Sequence, residues 1–441
     1  MATDPDGAAE TPRKPRPADL PGLEAPSLSW VEILERYFRA PLYYQRASHV
    51  RLLVDGRQAY PEMLAAIDSA ASAVDLETYI FQADRTGTRF AEALKRTAAR
   101  GVRARLLLDW VGCLSLPNGF VRELMDAGVA VRVYHPLILT RPSWAVNRRN
   151  HRKILVVDGR ASFTGGLNVA DDYASVEDGG RGWRDTHVRI DGVEPAALLS
   201  QLFRSDWRAS VRADARRGVP FAAMRQRRRR RRLRGRLRRM LRRFRGRRFR
   251  KSPPAKAPQG VVVQILGNHE FRLRRRIQRA YLHAIRNARQ YVLIENAYFI
   301  PDGRFRRALA RAVRRGAVVA VAVARHSDVT LAALAGKHLY RELLKAGVKF
   351  FEWPEGMMHA KTAVIDDAWS IVGSYNFDHR SLMHQLEAVA VIADAAFARR
   401  LRDQQLLDLS RCEELTLRQH DARPMLQKLA ECCAYLFRYW L

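Results

Sequence analysis

The chain has 441 residues, 47% of them hydrophobic and 9% aromatic, enough to bury a large core in about two to three domains and to exclude a disordered tail protein. Lys and Arg number 78 against 45 Asp and Glu, a net charge of +33 that draws the protein to polyanions, nucleic acid and anionic lipid alike. The four cysteines, Cys113, Cys412, Cys432 and Cys433, offer neither a disulfide framework nor a zinc spacing and fit a reducing compartment.

Residues 1–46 read as a disordered leader and an interfacial helix, since Met1 to Ser27 are rich in Pro, Ala, Asp and Glu and lack the apolar segment of a signal peptide. Nowhere does a run of about 18 apolar residues suggest a membrane span. Residues 47–215 read as a first α/β unit. In it Val74 to Phe81 is strand-like, Arg100-Gly101-Val102 ends a helix before the apolar Leu106-Leu107-Leu108, and Ala127-Gly128-Val129 ends another.

Residues 216–258 form an Arg-rich insert, with 17 Arg, 1 Lys and no acid between Arg225 and Lys251. Leu233, Leu237, Met240, Leu241 and Phe244 recur in it at helical spacing, the profile of a cationic helix lying in a lipid interface. A flexible basic linker and a nucleic-acid-binding arm are the alternatives. Residues 259–412 then repeat the first unit: Tyr291 to Phe299 echoes Val74 to Phe81, Arg315-Gly316-Ala317 precedes Val318 to Val321, and Ala346-Gly347-Val348 ends a helix. Residues 413–441 read as a C-terminal amphipathic helix whose Met425, Leu426, Leu429, Cys432, Cys433, Leu436, Phe437 and Trp440 face either a lipid interface or the protein's own core. Alternating strands and helices, copied once, predict two matching units with a cleft between them.

Each unit carries the same chemistry. His151-Arg152-Lys153 followed by Asp158 matches His359-Ala360-Lys361 followed by Asp366, both His-x-Lys-x4-Asp, and Asn168 and Asn376 stand at the same offset downstream. In a strand, residues i and i+2 share a face, so His and Lys project together, whereas Asp158 and Asp366 turn away and suit a turn. Phosphodiester transfer fits these residues: one neutral imidazole attacks phosphorus while the other protonates the departing alkoxide. Lys153, Lys361, Asn168 and Asn376 would supply donors to the phosphate oxygens, joined by the Ser374 hydroxyl, which has no counterpart at Gly166. Asp185 and Glu387, each following the histidine of its own half, are candidates to orient the imidazoles. Asp378, Arg380 and Ser381 read as a supporting network.

These cassettes resemble the paired HKD motifs of the phospholipase D superfamily over nearly all of residues 47 to 412. Within it, Gly373-Ser374-Tyr375-Asn376-Phe377-Asp378-His379-Arg380-Ser381-Leu382 resembles the second-motif region of bacterial cardiolipin synthases, and Tyr60-Pro61 and Leu76-Glu77-Thr78-Tyr79 look like the short type without transmembrane helices. The resemblance implies an α/β fold of two duplicated units, each a central mixed sheet flanked by helices, related by a pseudo-twofold with the active site between them. It counts His151, Lys153, Asp158, His359, Lys361 and Asp366 as the catalytic set and implies a phosphohistidine intermediate. His151 is taken as nucleophile and His359 as general acid/base, an assignment that the symmetry of the halves leaves exchangeable.

The implied reaction is phosphatidyl transfer between two phosphatidylglycerol molecules, giving cardiolipin and glycerol, with no cofactor and no metal. The expected setting is the anionic phospholipid surface of the cytoplasmic face of the bacterial inner membrane, bound peripherally by a monomer, with no nucleic acid partner. Leu137, Ile138, Leu139 and Trp144, extra residues before His151, read as an acyl-chain entrance. The competing activity is a phosphodiesterase or nuclease hydrolysing phospholipid or nucleic acid.

Overall fold

Each half of the chain closes its own mixed sheet. The computed structural model describes residues 28–38, 44–135, 148–212, 260–268 and 273–440. The first sheet runs in the order His49–Val54, Thr186–Asp191, Ala161–Gly165, Ile154–Val157, Ala73–Thr78, Arg103–Asp109, Ala130–Tyr134, Val211–Arg212. The second runs Val261–Gly267, Ala388–Ala393, Trp369–Gly373, Lys361–Ile365, Tyr291–Asn296, Val318–Ala324, Lys349–Trp353, Glu413–Leu415. Taken strand for strand the two orders match, and in both the three-strand stretch beginning at Ala73 or Tyr291 is parallel while its neighbours are antiparallel. The duplication inferred from sequence is therefore a duplication of topology.

Strand parity sorts the apolar side chains. Leu155 and Val157 point outward into the core beneath the first unit's helices, while Ile154 and Val156 point inward. The inward residues, with Val188 and Ile190, meet Val364, Val372, Ala390 and Ile392 of the second sheet. Both sheets are thus covered on both faces, which is why their strands read as continuous apolar runs. Helices Val193–Ala209 and Ala395–Leu409 complete this inter-sheet core through Leu199, Phe397 and Leu401. Gly101, Gly128, Gly316 and Gly347, which end helices, all have φ between 79° and 90°, the left-handed region that glycine enters without penalty.

The N-terminal expectation needs correction. Helix Trp30–Tyr37, capped by Ser29, buries Ile33, Leu34 and Tyr37 in the core of the second unit, so this apolar side is not available to a lipid interface. Strand Gln45–Ala47 then pairs with Val261–Val263 and extends the second sheet. At the other end, Glu413–Leu415 closes the second sheet before helices Leu417–Asp421 and Met425–Leu436. The last helix packs Ala434 on Ala335 and Leu339, and leaves Met425, Leu426, Leu429, Leu436, Phe437 and Trp440 exposed. Among the described residues no helix is long and apolar enough to cross a membrane. The leader, the Arg-rich insert and the segment holding Leu137, Ile138, Leu139 and Trp144 lie outside the described residues.

Candidate active site

The histidines are held by a crossing of the two halves. His151 donates its backbone N–H to Leu386 O at 2.9 Å, and its Nδ1 lies 3.1 and 3.2 Å from the two Glu387 oxygens. In the mirror arrangement His359 donates its N–H to Arg184 O at 2.7 Å, and its Nδ1 lies 2.7 Å from Asp185 Oδ2. Each imidazole is therefore oriented by the carboxylate of the opposite half, and the pairing within halves suggested by chain order is exchanged. The reason is local: each carboxylate follows a residue whose carbonyl bonds the other half's histidine, so backbone and side chain cross together. All four side chains are buried.

Both imidazoles are pushed toward neutrality. Burial is the main cause of the His151 shift, which takes it far below the usual range, followed by the charges of Lys153, Lys361, His359 and Arg380. His359 is lowered by burial and by Lys361, with Asp185 opposing. Each ring feels a lysine of the other half, which places both in one electrostatic site. Lys153 Nζ donates to His151 O at 2.9 Å, and Lys361 Nζ donates to His359 O. Burial lowers these ammonium groups to about 7 and about 8, so an arriving phosphate would repay part of their desolvation.

The carboxylates differ. Burial pushes Asp185 up, but Lys361 and His359 outweigh it and hold the carboxyl below its usual range. Glu387 is raised to about 8 by burial, against the pull of Lys153, Ser374 and Ser381. Ser374 is not turned toward a phosphate: its hydroxyl donates to Glu387 and accepts from Ala388 N at 3.1 Å, while Ser381 Oγ donates to Glu387 at 2.8 Å. The Gly166 counterpart is now explained, because a Cβ there would lie 2.0 Å from Asp185 Oδ1. Glycine makes room for the shorter carboxylate to reach His359.

Asn168 commits one N–H donor to Tyr173 at 2.6 Å and accepts from Ile80 N at 3.1 Å. Asn376 has a buried Oδ1 without a partner among the described residues. Tyr173, Trp183 and Tyr298 wall His359, with ring centroids 5.3, 6.0 and 6.4 Å away, whereas Tyr79 packs on His151 at 5.1 Å.

Asp158 and Asp366 stand apart from the imidazoles. Asp158 accepts from Ala71 N, Ser72 N and Ala73 N at 2.7–2.9 Å. Asp366 accepts from Arg289 N, Gln290 N and Tyr291 N at 2.7–2.9 Å, and from Tyr37 Oη at 2.6 Å. Each carboxylate ties down the turn that enters its sheet's strand Ala73–Thr78 or Tyr291–Asn296, so its bonds are architectural even though the motif counts it with the catalytic set.

Sequence reasoning passed over a buried ionic frame around the crossing. Arg152 bonds Asp206 and the carbonyls of Asn268 and Glu387, the latter at 3.1 Å. Arg184 bonds Asp408 at 2.7 Å and Thr186 at 2.9 Å, and Glu77 and Glu295 are buried at equivalent strand positions. The available signal was a carboxylate at the same place in both copies of an apolar strand.

A fold of two such units, converging on one buried histidine pair, defines the phospholipase D class. The sequence matches the family described as "Cardiolipin synthase, PLD-like domain" over residues 63–207 and 281–405. The chain is 34% identical to cardiolipin synthase B of Escherichia coli (strain K12) over 363 residues, covering 82% of this chain and 80% of that protein. It is 30% identical to the major cardiolipin synthase ClsA of Bacillus subtilis (strain 168) over 388 residues, covering 88% and 74%. Among solved structures, phosphatidylserine synthase from Haemophilus influenzae Rd KW20 superposes with a TM-score of 0.67 at 16% identity, covering 90% of this chain and 97% of that one. The chain belongs to the phospholipase D-like cardiolipin synthase family of phosphatidyltransferases.

Proposed function

We propose that the protein moves a phosphatidyl group from one phosphatidylglycerol to another, giving cardiolipin and glycerol through a phosphohistidine. The observation that carries this reading is the pair of buried imidazoles, each braced at Nδ1 by a carboxylate of the opposite half. The relatives named as cardiolipin synthases support the substrate class.

One ring attacks phosphorus through Nε2, the P–O bond to glycerol breaks, and the other ring, protonated once the anionic phosphodiester is bound beside it, gives its proton to the departing alkoxide. A hydroxyl of the second phosphatidylglycerol then passes its proton to that neutral ring and attacks phosphorus. The P–N bond breaks, releasing cardiolipin and the free histidine. Lys153 and Lys361 hold the nonbridging oxygens through both steps.

The test incubates purified full-length protein with phosphatidylglycerol in mixed micelles containing a chelator and identifies products by mass. Cardiolipin and glycerol are expected, and His151→Ala and His359→Ala should each lose about a thousandfold or more. Activity surviving both substitutions, or DNA cleavage without lipid turnover, overturns the reading. Trapping the covalent adduct and sequencing the labelled peptide identifies the attacking ring; label on His359 would exchange the roles read from the sequence.

The same reading sets the protein, as a monomer, on the anionic cytoplasmic face of the inner membrane. The exposed apolar side of helix Met425–Leu436 supports this, since it continues to Tyr439, whose ring meets His379 at 4.6 Å beside the site. Replacing Leu426 and Trp440 with Ser should weaken co-sedimentation with anionic vesicles, and undiminished binding counts against it.

A further inference from the structure

Arg380 differs from three other guanidinium groups around the crossing. Arg149 has Asp109 at 3.6 Å, Arg152 has Asp206 and Arg184 has Asp408. The Nε of Arg380 is buried and finds no hydrogen-bond partner among the described residues, and no carboxylate of those residues stands within ion-pair distance. Asp378 acts on this charge through space without forming an ion pair, and a half-buried cation so lightly compensated is costly unless a ligand supplies an anion.

Its place in the fold is fixed. Arg380 lies in the short helix His379–Met383, which Asp378 caps by accepting from Ser381 N at 2.7 Å. The next residue, Ser381, bonds Glu387 and through it His151. Arg380 therefore stands on the His151 side of the cleft, where its charge reaches His151, Tyr79 and His384. Arg148 and Arg274 also act on His384. The opposite side, around His359, is walled by Tyr173, Trp183 and Tyr298.

The reacting phosphate already has two buried ammonium groups, one from each motif. A phosphatidylglycerol acceptor brings a second phosphodiester, a three-carbon bridge away from the hydroxyl that attacks; water and simple alcohols bring none. We propose that Arg380 binds this second, unreactive phosphodiester and so selects a phospholipid acceptor over water. The assignment rests on the phosphatidyl-transfer reading and names the acceptor site within it. In the second step the acceptor hydroxyl forms the new P–O bond, the P–N bond to histidine breaks and the hydroxyl proton goes to the other ring; Arg380 takes no part in that exchange and holds only the neighbouring phosphate.

The experiment offers two acceptors to one intermediate. Full-length enzyme and its Arg380→Gln and Arg380→Lys variants act on phosphatidylglycerol vesicles in the presence of ethanol, and cardiolipin, phosphatidylethanol and phosphatidic acid are quantified together. The ratio of cardiolipin to phosphatidylethanol should fall roughly tenfold or more in Arg380→Gln and less in Arg380→Lys. A structural role, or one exerted through His151, would lower both products in proportion, so an unchanged ratio overturns the proposal. A wild-type enzyme that makes phosphatidylethanol but no cardiolipin defeats the transfer reading itself.

Discussion

The two halves share a strand order but not a histidine environment. His359 meets one short carboxylate at 2.7 Å, admitted by a glycine and walled by aromatic rings, whereas His151 meets a longer carboxylate at 3.1 Å that two serine hydroxyls also hold. Near neutral pH the Glu387 pair keeps a proton that the Asp185 pair lacks, because Glu387 sits at about 8 and Asp185 below its usual range. Duplication supplied two equal frames, and local substitutions gave the carboxyls beneath their imidazoles different proton affinities, an asymmetry that a reaction needing one base and one acid can use.

The largest expected effect breaks this comparison directly. Asp185→Asn replaces an ionised partner and disturbs the His359 tautomer, so initial transfer rates at neutral pH should fall about a thousandfold. Glu387→Gln resembles the protonated carboxyl already present and should cost about tenfold. Equal losses would erase the distinction between the pairs.

Next comes the glycine. Gly166→Ala puts a Cβ 2.0 Å from Asp185 Oδ1 and should cost about a hundredfold in kcat by displacing the carboxylate. Ser374→Ala leaves Ser381 on Glu387 and should cost only severalfold, about the worth of one hydrogen bond.

Smaller still is the pH response. In the free enzyme Lys153 and Lys361 lose their protons as pH rises through about 7 and about 8. The profile of kcat/KM should therefore fall on its alkaline side in that window, while kcat, measured with phosphate bound, should not. Lys153→Arg should carry the fall to higher pH, since a guanidinium stays protonated; a profile unmoved by that change removes Lys153 from substrate binding.

The smallest effects on chemistry belong to the motif aspartates. Asp366→Asn should cost about 1–3 kcal/mol of stability in denaturant unfolding, since its carboxylate gathers four donors. Asp158 titrates at about 2, its backbone bonds to Ala71 and Ala73 outweighing burial. A depressed carboxylate stabilises above its unfolded value near 4 and loses that contribution as pH falls toward 2. Asp158→Asn should thus flatten the acid limb of unfolding, and a large rate loss in either variant at full stability would return the aspartates to the chemistry.

Much of this was legible because repetition doubles a weak signal. The α/β order, the His-Lys pairs and the turn role of the aspartates all follow from local spacing and strand parity. The crossing did not, since nothing in a linear chain tells Asp185 to serve the histidine of the other motif. Nor did the role of Ser374: a hydroxyl beside a phosphate motif looks like a ligand until Glu387 is seen beneath it. The interfacial helix expected within residues 1–46 misled for a related reason, because nothing local says whether the apolar side of Trp30–Tyr37 is covered by lipid or, as here, by a distant part of the same chain.

That helix has a consequence for how the protein is made. Tyr37 bonds Asp366, 329 positions later. At about ten residues per second on the ribosome, the apolar stripe of Ile33 and Leu34 emerges on the order of half a minute before its docking site has been translated. A nascent chain carrying a finished first unit still trails this unsatisfied segment. Chaperone occupancy should therefore persist at the N-terminus until translation passes the second motif, and release should coincide with closure of the second sheet.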